Sequence, residues 1–99
     1  MNMQQMIIQA QKMQRELQKA QEALKTKEFS VSKGGAVNVV IMGDKTIKSI
    51  NIEKDAMTLD NKEMIEEMIV MAINEAIAKI EKESEEINES VTGRTGGLF

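Results

Sequence analysis

The segment that decides the fold is GAVNVVIMGDKTIKSINIE, residues 35–53. Its apolar side chains recur with a period of two, at Val37, Val39, Ile41, Ile50 and Ile52. Such alternation is typical of β-strands that bury one face. Gly43-Asp44 separates the two alternating runs, as the turn of a hairpin does. The segment therefore predicts two antiparallel strands joined by a short turn.

A shorter alternating run precedes this hairpin. Phe29 and Val31 alternate with serines, and Gly34-Gly35 then marks a turn. The simplest arrangement is three antiparallel strands in chain order within residues 28–53. Two edges and one face of such a sheet are uncovered, and both favour association with a second copy. We therefore expect a homodimer that forms through the sheet, with contacts from Val37, Val39, Ile41, Ile50 and Ile52.

On both sides of the sheet the apolar period becomes that of a helix. Before it, an a/d heptad pattern predicts a helix over residues 1–27, and the residues of this heptad seam are Met3, Met6, Ala10, Met13, Leu17, Ala20 and Leu24. After it, a wide apolar band predicts a helix over residues 60–90, with Asp60 as the N-cap and Glu63 as its capping-box partner. Residues 92–99 contain three Gly and are predicted to be a flexible tail. The order α-β-β-β-α gives one α+β domain over residues 1–99.

The composition argues against catalysis. The chain has no Cys and no His, so it lacks thiolate nucleophiles, Cys-ligated zinc and the commonest general base. The glycines do not form a phosphate-binding loop. Carboxylates near the end of the second helix favour a solvated surface over a metal or acid–base site: Glu81, Glu83, Glu85, Glu86 and Glu89. We expect no enzymatic activity, no metal or other cofactor, and no small-molecule substrate.

The sequence also predicts a cytoplasmic protein with no membrane partner. Residues 1–10 lack the basic region and apolar block of a secretory leader. The longest apolar run, 68–73, is far shorter than the roughly 20 residues that cross a bilayer.

Charge is distributed unevenly along the chain, although the net charge is only −3. Residues 1–33 hold six basic and three acidic side chains, whereas residues 55–99 hold four basic and eleven acidic ones. Lys12, Arg15 and Lys19 follow the spacing i, i+3, i+7 and share one face of the first helix; we call them the basic stripe. Two interpretations stay open for the stripe: an ordinary solvated surface, or a surface that contacts nucleic-acid phosphates.

Taken together, the ordered motifs resemble the YbaB/EbfC family of nucleoid-associated proteins over roughly residues 3–99. That family has a Gly-x-Val-x-Val strand, a turn ending in Gly, an Ile-Asp/Glu strand exit and an Ala-x-Asn-Asp/Glu-Ala helix signature. Here the corresponding residues are Gly35, Val37, Val39, Gly43, Ile52, Glu53, Asp60 and 72–76. The resemblance implies a dimer whose helices project like tweezer arms, duplex DNA as the partner, and a role in nucleoid organisation or gene expression.

From the charge pattern and the resemblance we expect six DNA-binding residues: Lys12, Arg15, Lys19, Lys25, Lys27 and Lys33. Solubility and protection of the sheet edge are the alternative roles of the last three. Because only Arg15 and Arg94 are arginines, we expect weak sequence discrimination. The alternative function is a protein-interaction adaptor that binds another protein's helix through the heptad seam and its methionines, an idea that the net acidic charge favours.

Overall fold

A computed structural model describes residues 2–95 and has the order helix, three strands, helix. The principal elements are α1 (Met3–Lys25), β1 (Glu28–Lys33), β2 (Val37–Met42), β3 (Ile47–Ile52) and α2 (Lys62–Thr95). Two short 3-10 helices, Lys54–Ala56 and Leu59–Asn61, connect β3 to α2. The predicted α+β fold class is confirmed.

Helix α1 begins with a capping box. The Asn2 side chain accepts the backbone N–H of Gln5 at 2.8 Å, and the Asn2 backbone N–H donates to Gln5 Oε1 at 3.4 Å. These bonds satisfy backbone groups that the first helical turn leaves without partners. The helix ends at Lys25, with Thr26 as its C-cap.

The sheet has the strand order β1-β2-β3, and both pairs are antiparallel. Val39 is paired with Val31 on β1 and with Ile50 on β3, so the three side chains share one face. At the β1–β2 turn Gly34 and Gly35 both have positive φ, 57° and 65°, as a type I′ turn requires. The predicted turn at these two glycines is confirmed.

Helix α2 covers the sheet over β1 and β2 and forms the core with them. Val39 and Ile41 are fully buried, and so are Ala72 and Ala76 on the helix. The small alanine side chains let the helix backbone approach β2 closely. The core therefore lies between one helix and two of the three strands.

The start and end of α2 differ from the sequence-based expectation. Asp60 lies inside the second 3-10 helix, so α2 begins at Lys62 and the N-cap assigned to Asp60 was wrong. At its other end α2 continues to Thr95 and is 34 residues long, which corresponds to about 50 Å. Residues 96–99 lie outside the described residues, and the flexibility of the tail stays a prediction. Within residues 2–95, neither helix has the length and apolar character needed to span a membrane.

The second half of α2 pairs with α1 in antiparallel orientation. Gln21 is hydrogen-bonded to Ser84, and Glu16 lines a groove with Val91. An earlier residue of α1 therefore lies beside a later residue of α2, as in antiparallel helices. The two helices form an arm that extends away from the sheet, and the whole molecule measures 69 × 19 × 14 Å. Every residue from 2 to 9, at the free end of α1, is exposed.

Candidate nucleic-acid interface

The basic stripe lies on the outer face of the arm. Lys12, Arg15 and Lys19 are all exposed. The opposite face of α1 contacts α2, where Leu24 is buried and Gln21 is hydrogen-bonded to Ser84. At 1.5 Å per residue the stripe extends over about 10 Å along the helix. It therefore presents three cations in a row to solvent.

The six predicted DNA-binding residues divide into two groups by their ion pairs. Lys25 is paired with Glu22 at 3.0 Å, Lys27 with Glu83 and Lys33 with Glu75 at 3.1 Å. Among residues 2–95, no carboxylate forms an ion pair with any of the three stripe side chains. The stripe can thus contact an anion without first giving up an intrachain partner.

Lys27 and Lys33 join the sheet to α2. Besides its ion pair with Glu83, the Lys27 ammonium lies 5.4 Å from the centre of the Phe29 ring, within the range of a cation–π contact. The Lys33 side chain is only 28% exposed beside Glu75. Both lysines therefore have a structural function in the chain itself. Sequence reasoning missed it because the glutamates lie more than 40 positions away.

The carboxylates at the end of α2 do not gather into a site. Glu83 binds Lys27, and Glu81 binds Lys45 at 3.2 Å. Glu85, Glu86 and Glu89 are exposed. The described residues contain no group of three or more acidic side chains that could hold a metal ion. The negative charge of α2 would repel phosphate, which leaves the α1 side as the cationic surface of the arm.

The predicted dimer contacts fall into different environments. Val37, Val39 and Ile41 lie beneath α2 and are at most 2% exposed. A second chain cannot reach these three residues while α2 stays packed on them. Ile50 on β3 is 43% exposed, and Ile52 is half-buried. A part in dimerisation stays a prediction for all five residues.

An exposed apolar surface lies where β3 meets α2. Because of a register shift between Val40 and Ile41, Ile47 is paired with Ile41 and lies on the same sheet face as Ile50. The helix does not cover β3, and both isoleucines are more than 40% exposed. The Lys45–Glu81 ion pair shows which side of α2 faces this edge. Apolar helix residues one to three turns before Glu81 complete what we call the β3–α2 surface: Ile47, Ile50, Val70, Ile73 and Ile77.

The other face of the sheet is largely polar. The hydroxyls of Ser30 and Ser32 both donate to Asn38 Oδ1, at 2.9 and 3.0 Å. Ser49 and Asn51 on β3 are exposed on the same face. Such a face gains little from burial against an apolar partner. The β3–α2 surface is therefore the better candidate for an interface between chains.

Comparison with known proteins gives consistent results. The model of the YbaB/EbfC DNA-binding family matches residues 1–95. A nucleoid-associated protein of Ruminiclostridium cellulolyticum is 41% identical over 98 residues, which cover 98% of this chain and 85% of that protein. A nucleoid-associated protein of Enterococcus faecalis is 44% identical over 85 residues, covering 85% and 82%.

The fold is also similar to that of a solved structure. It is the crystal structure of an uncharacterized protein from Helicobacter pylori, with a TM-score of 0.70 and 21% sequence identity. The match covers 91% of this chain and 96% of that protein. At this level of identity the likeness concerns the fold alone.

Proposed function

The chain belongs to the YbaB/EbfC DNA-binding family, and we propose that it binds duplex DNA as a homodimer through α1, with little sequence specificity. The observation that carries this proposal is the basic stripe. Lys12, Arg15 and Lys19 are exposed, lie in a row and have no ion-pair partner among the described residues. Most protein–DNA hydrogen bonds go to the sugar–phosphate backbone, and cations in this arrangement suit that contact.

Weak sequence discrimination follows from the chemistry of the stripe. Reading a base edge usually requires an Arg, Asn or Gln that reaches into a groove. Arg15 is the only arginine on α1, and the two lysines on either side of it act as point charges. The stripe therefore supports affinity for the duplex backbone more than recognition of particular bases.

Dimerisation would combine two stripes into one larger cationic surface. The β3–α2 surface supports it, because this surface is apolar, exposed and next to a strand edge that has no partner within the described chain. Three phosphate contacts per chain give six per dimer. The slope of log K against log salt should then be about −5.

Replacing all three stripe residues by Glu tests the proposal. We expect Lys12→Glu/Arg15→Glu/Lys19→Glu to abolish binding to unrelated duplexes, because the phosphate contacts become repulsive. The measurement is fluorescence anisotropy of labelled DNA across a salt series, with the mass of the protein measured in parallel.

The matched control makes the same change of charge outside α1. Lys54, Lys62 and Lys82 are exposed, and their replacement by Glu alters the net charge equally. We expect this control to keep most of its affinity. An equal loss of DNA affinity in the two triple variants would show that only net charge matters. Unchanged affinity in the stripe variant would place the DNA contact elsewhere.

We propose that the protein acts in the cytoplasm on the nucleoid and influences nucleoid organisation or gene expression. The support is that relatives at 41 and 44% identity bear the name nucleoid-associated protein. A fluorescent fusion should co-localise with the stained chromosome, and the stripe variant should spread through the cytoplasm. An even distribution of the unmodified fusion would contradict this assignment.

One observation favours a second candidate, a protein-interaction adaptor. Met3 and Met6, the first two residues of the heptad seam, are at least 44% exposed, and so are their neighbours Ile7 and Ile8, so this end of the seam has no cover. A helix of another protein would suit this part of the seam. Absence of DNA binding even at low salt, together with a stoichiometric protein partner that Met6→Glu releases, would favour the adaptor.

A further inference from the structure

We propose that Gln21 is a positioning residue that sets the direction of α1 relative to α2, and with it the place where the basic stripe meets DNA. Gln21 is half-buried between the two helices. Its Nε2 group donates to the Ser84 carbonyl at 3.1 Å and to Asn88 Oδ1 at 3.0 Å. Its Oε1 accepts the Ser84 hydroxyl at 3.1 Å. All of these bonds join α1 to α2, and we call them the Gln21 clasp.

Helix α1 behaves as a lever that is held at one end. Its C-terminal end lies against the β2–β3 turn, where the Gly43 N–H donates to the Lys27 carbonyl at 2.9 Å. Lys12 lies 13 residues, or about 20 Å, from that end. By plane geometry a tilt of about 10° would move the Lys12 backbone by about 3 Å, similar to the 3.4 Å per charge along one DNA strand.

On the free side of the clasp, a groove between the two helices leaves room for such a tilt. Ala20 is small, and together with Glu16, Ile87 and Val91 it borders an open groove between the helices. Short apolar side chains pack in several similar arrangements, whereas a hydrogen-bonded amide allows few. A single buried polar residue is known to fix alignment between helices in this way. The clasp is therefore a contact that favours one orientation of the arm.

Gln21→Leu tests the inference, which rests on the proposed function. Leucine keeps the volume at the interface, and half-buried Ser84 and exposed Asn88 can hydrogen-bond to water in place of Gln21. The chain has no Cys, so Cys introduced at Gln9 and Asn74, both exposed, can carry spin labels. Labelled chains diluted with unlabelled ones report the distance within one chain.

We expect Gln21→Leu to keep the folded mass and melting temperature while broadening the distribution of label distances. With the stripe misplaced, one or two phosphate contacts per dimer should be lost. The salt slope should then fall by about 1 to 2 and the DNA affinity roughly tenfold. Gln14→Leu is the matched control, since Gln14 is exposed on α1 and forms no hydrogen bond to α2 among the described residues, and it should change neither property.

Each outcome decides between the two proposals. Unchanged distances in Gln21→Leu, or broadened distances with unchanged DNA affinity, would overturn the role of the clasp and leave DNA binding by the stripe intact. Retained affinity in the triple stripe variant would instead refute the proposed function. If Gln21→Leu does not fold, Ser84→Ala removes one hydrogen bond of the clasp with a small truncation. It should then show the same changes at smaller size, and its failure to do so would also overturn the inference.

Discussion

At the residue scale, the exposed side chain of Asp44 stabilises the β2–β3 turn by a hydrogen bond within that turn. Asp44 Oδ1 accepts the Thr46 backbone N–H at 2.8 Å. Hydrogen bonds from the Thr46 side chain and backbone lower the pKa of Asp44 below its ordinary value of 3.8. Hydrogen bonds that favour the charged carboxylate make the folded state more stable when that carboxylate is ionised.

The sign of the pH dependence follows from the lowered pKa. The contribution is fully present above the unfolded pKa, near 3.8, and is lost as the pH falls through the lower folded pKa. Asp44→Asn keeps an acceptor oxygen but cannot ionise. We expect wild type to exceed Asp44→Asn in unfolding free energy at neutral pH, and the difference to shrink by about pH 3. Urea unfolding at both pH values measures it, and a constant difference would contradict the assignment.

Single residues also show where sequence reasoning reaches its limit. The shared face of Lys12, Arg15 and Lys19 was predictable, because helical spacing is a local property. The pairing of Lys27 with Glu83 was not, since it depends on how α2 returns along the sheet. For the same reason the sequence did not identify Gln21 among the many glutamines of α1.

At the element scale, Gly43 determines how α1 meets the sheet. A Cβ atom at this position would lie 1.7 Å from the Leu24 carbonyl oxygen. The end of α1 therefore rests directly on the backbone of the β2–β3 turn. The turn itself was predicted from Gly43-Asp44, but its contact with α1 was not, because that contact joins elements that are separate in the sequence.

Replacing Gly43 by Ala should displace the end of α1. We expect Gly43→Ala to lower the unfolding free energy by about 1–3 kcal/mol through overpacking. Gly35→Ala is the matched control, because Gly35 has a positive φ but open space around it. Gly35→Ala should lower the unfolding free energy only by the strain of a left-handed backbone, about 1 kcal/mol. Urea unfolding of the two variants measures the difference, and equal losses would argue against the close contact.

At the scale of the whole molecule, the β3 edge of the sheet is not covered by α2. The sequence predicted the strand order, the turns and the two helices, since each depends on local periodicity. It could not show that α2 covers β1 and β2 but not β3. That offset buries Val37, Val39 and Ile41 and leaves Ile47 exposed. The β3–α2 surface therefore replaces the centre of the sheet as the proposed interface.

A charge on this surface should separate the chains. Ile50→Glu places a carboxylate at the centre of the β3–α2 surface, where burial in a dimer would be costly. We expect a folded monomer by sedimentation, with roughly half the salt slope of the dimer in DNA binding. Ser49→Glu, its neighbour on the polar face, should stay dimeric. A dimer of unchanged stability in Ile50→Glu would rule out this interface.

The free end of α1 has a dynamic consequence. Residues 2–9 are all exposed, so this stretch is held by its own backbone bonds and the Asn2 capping box. Isolated helices shorter than about 12–15 residues are marginal in water. Backbone amides there should exchange with deuterium far faster than those of β2, and they should slow when a duplex is added. Residues 2–9 would then fray and refold repeatedly in solution and become ordered only when the arm binds its target.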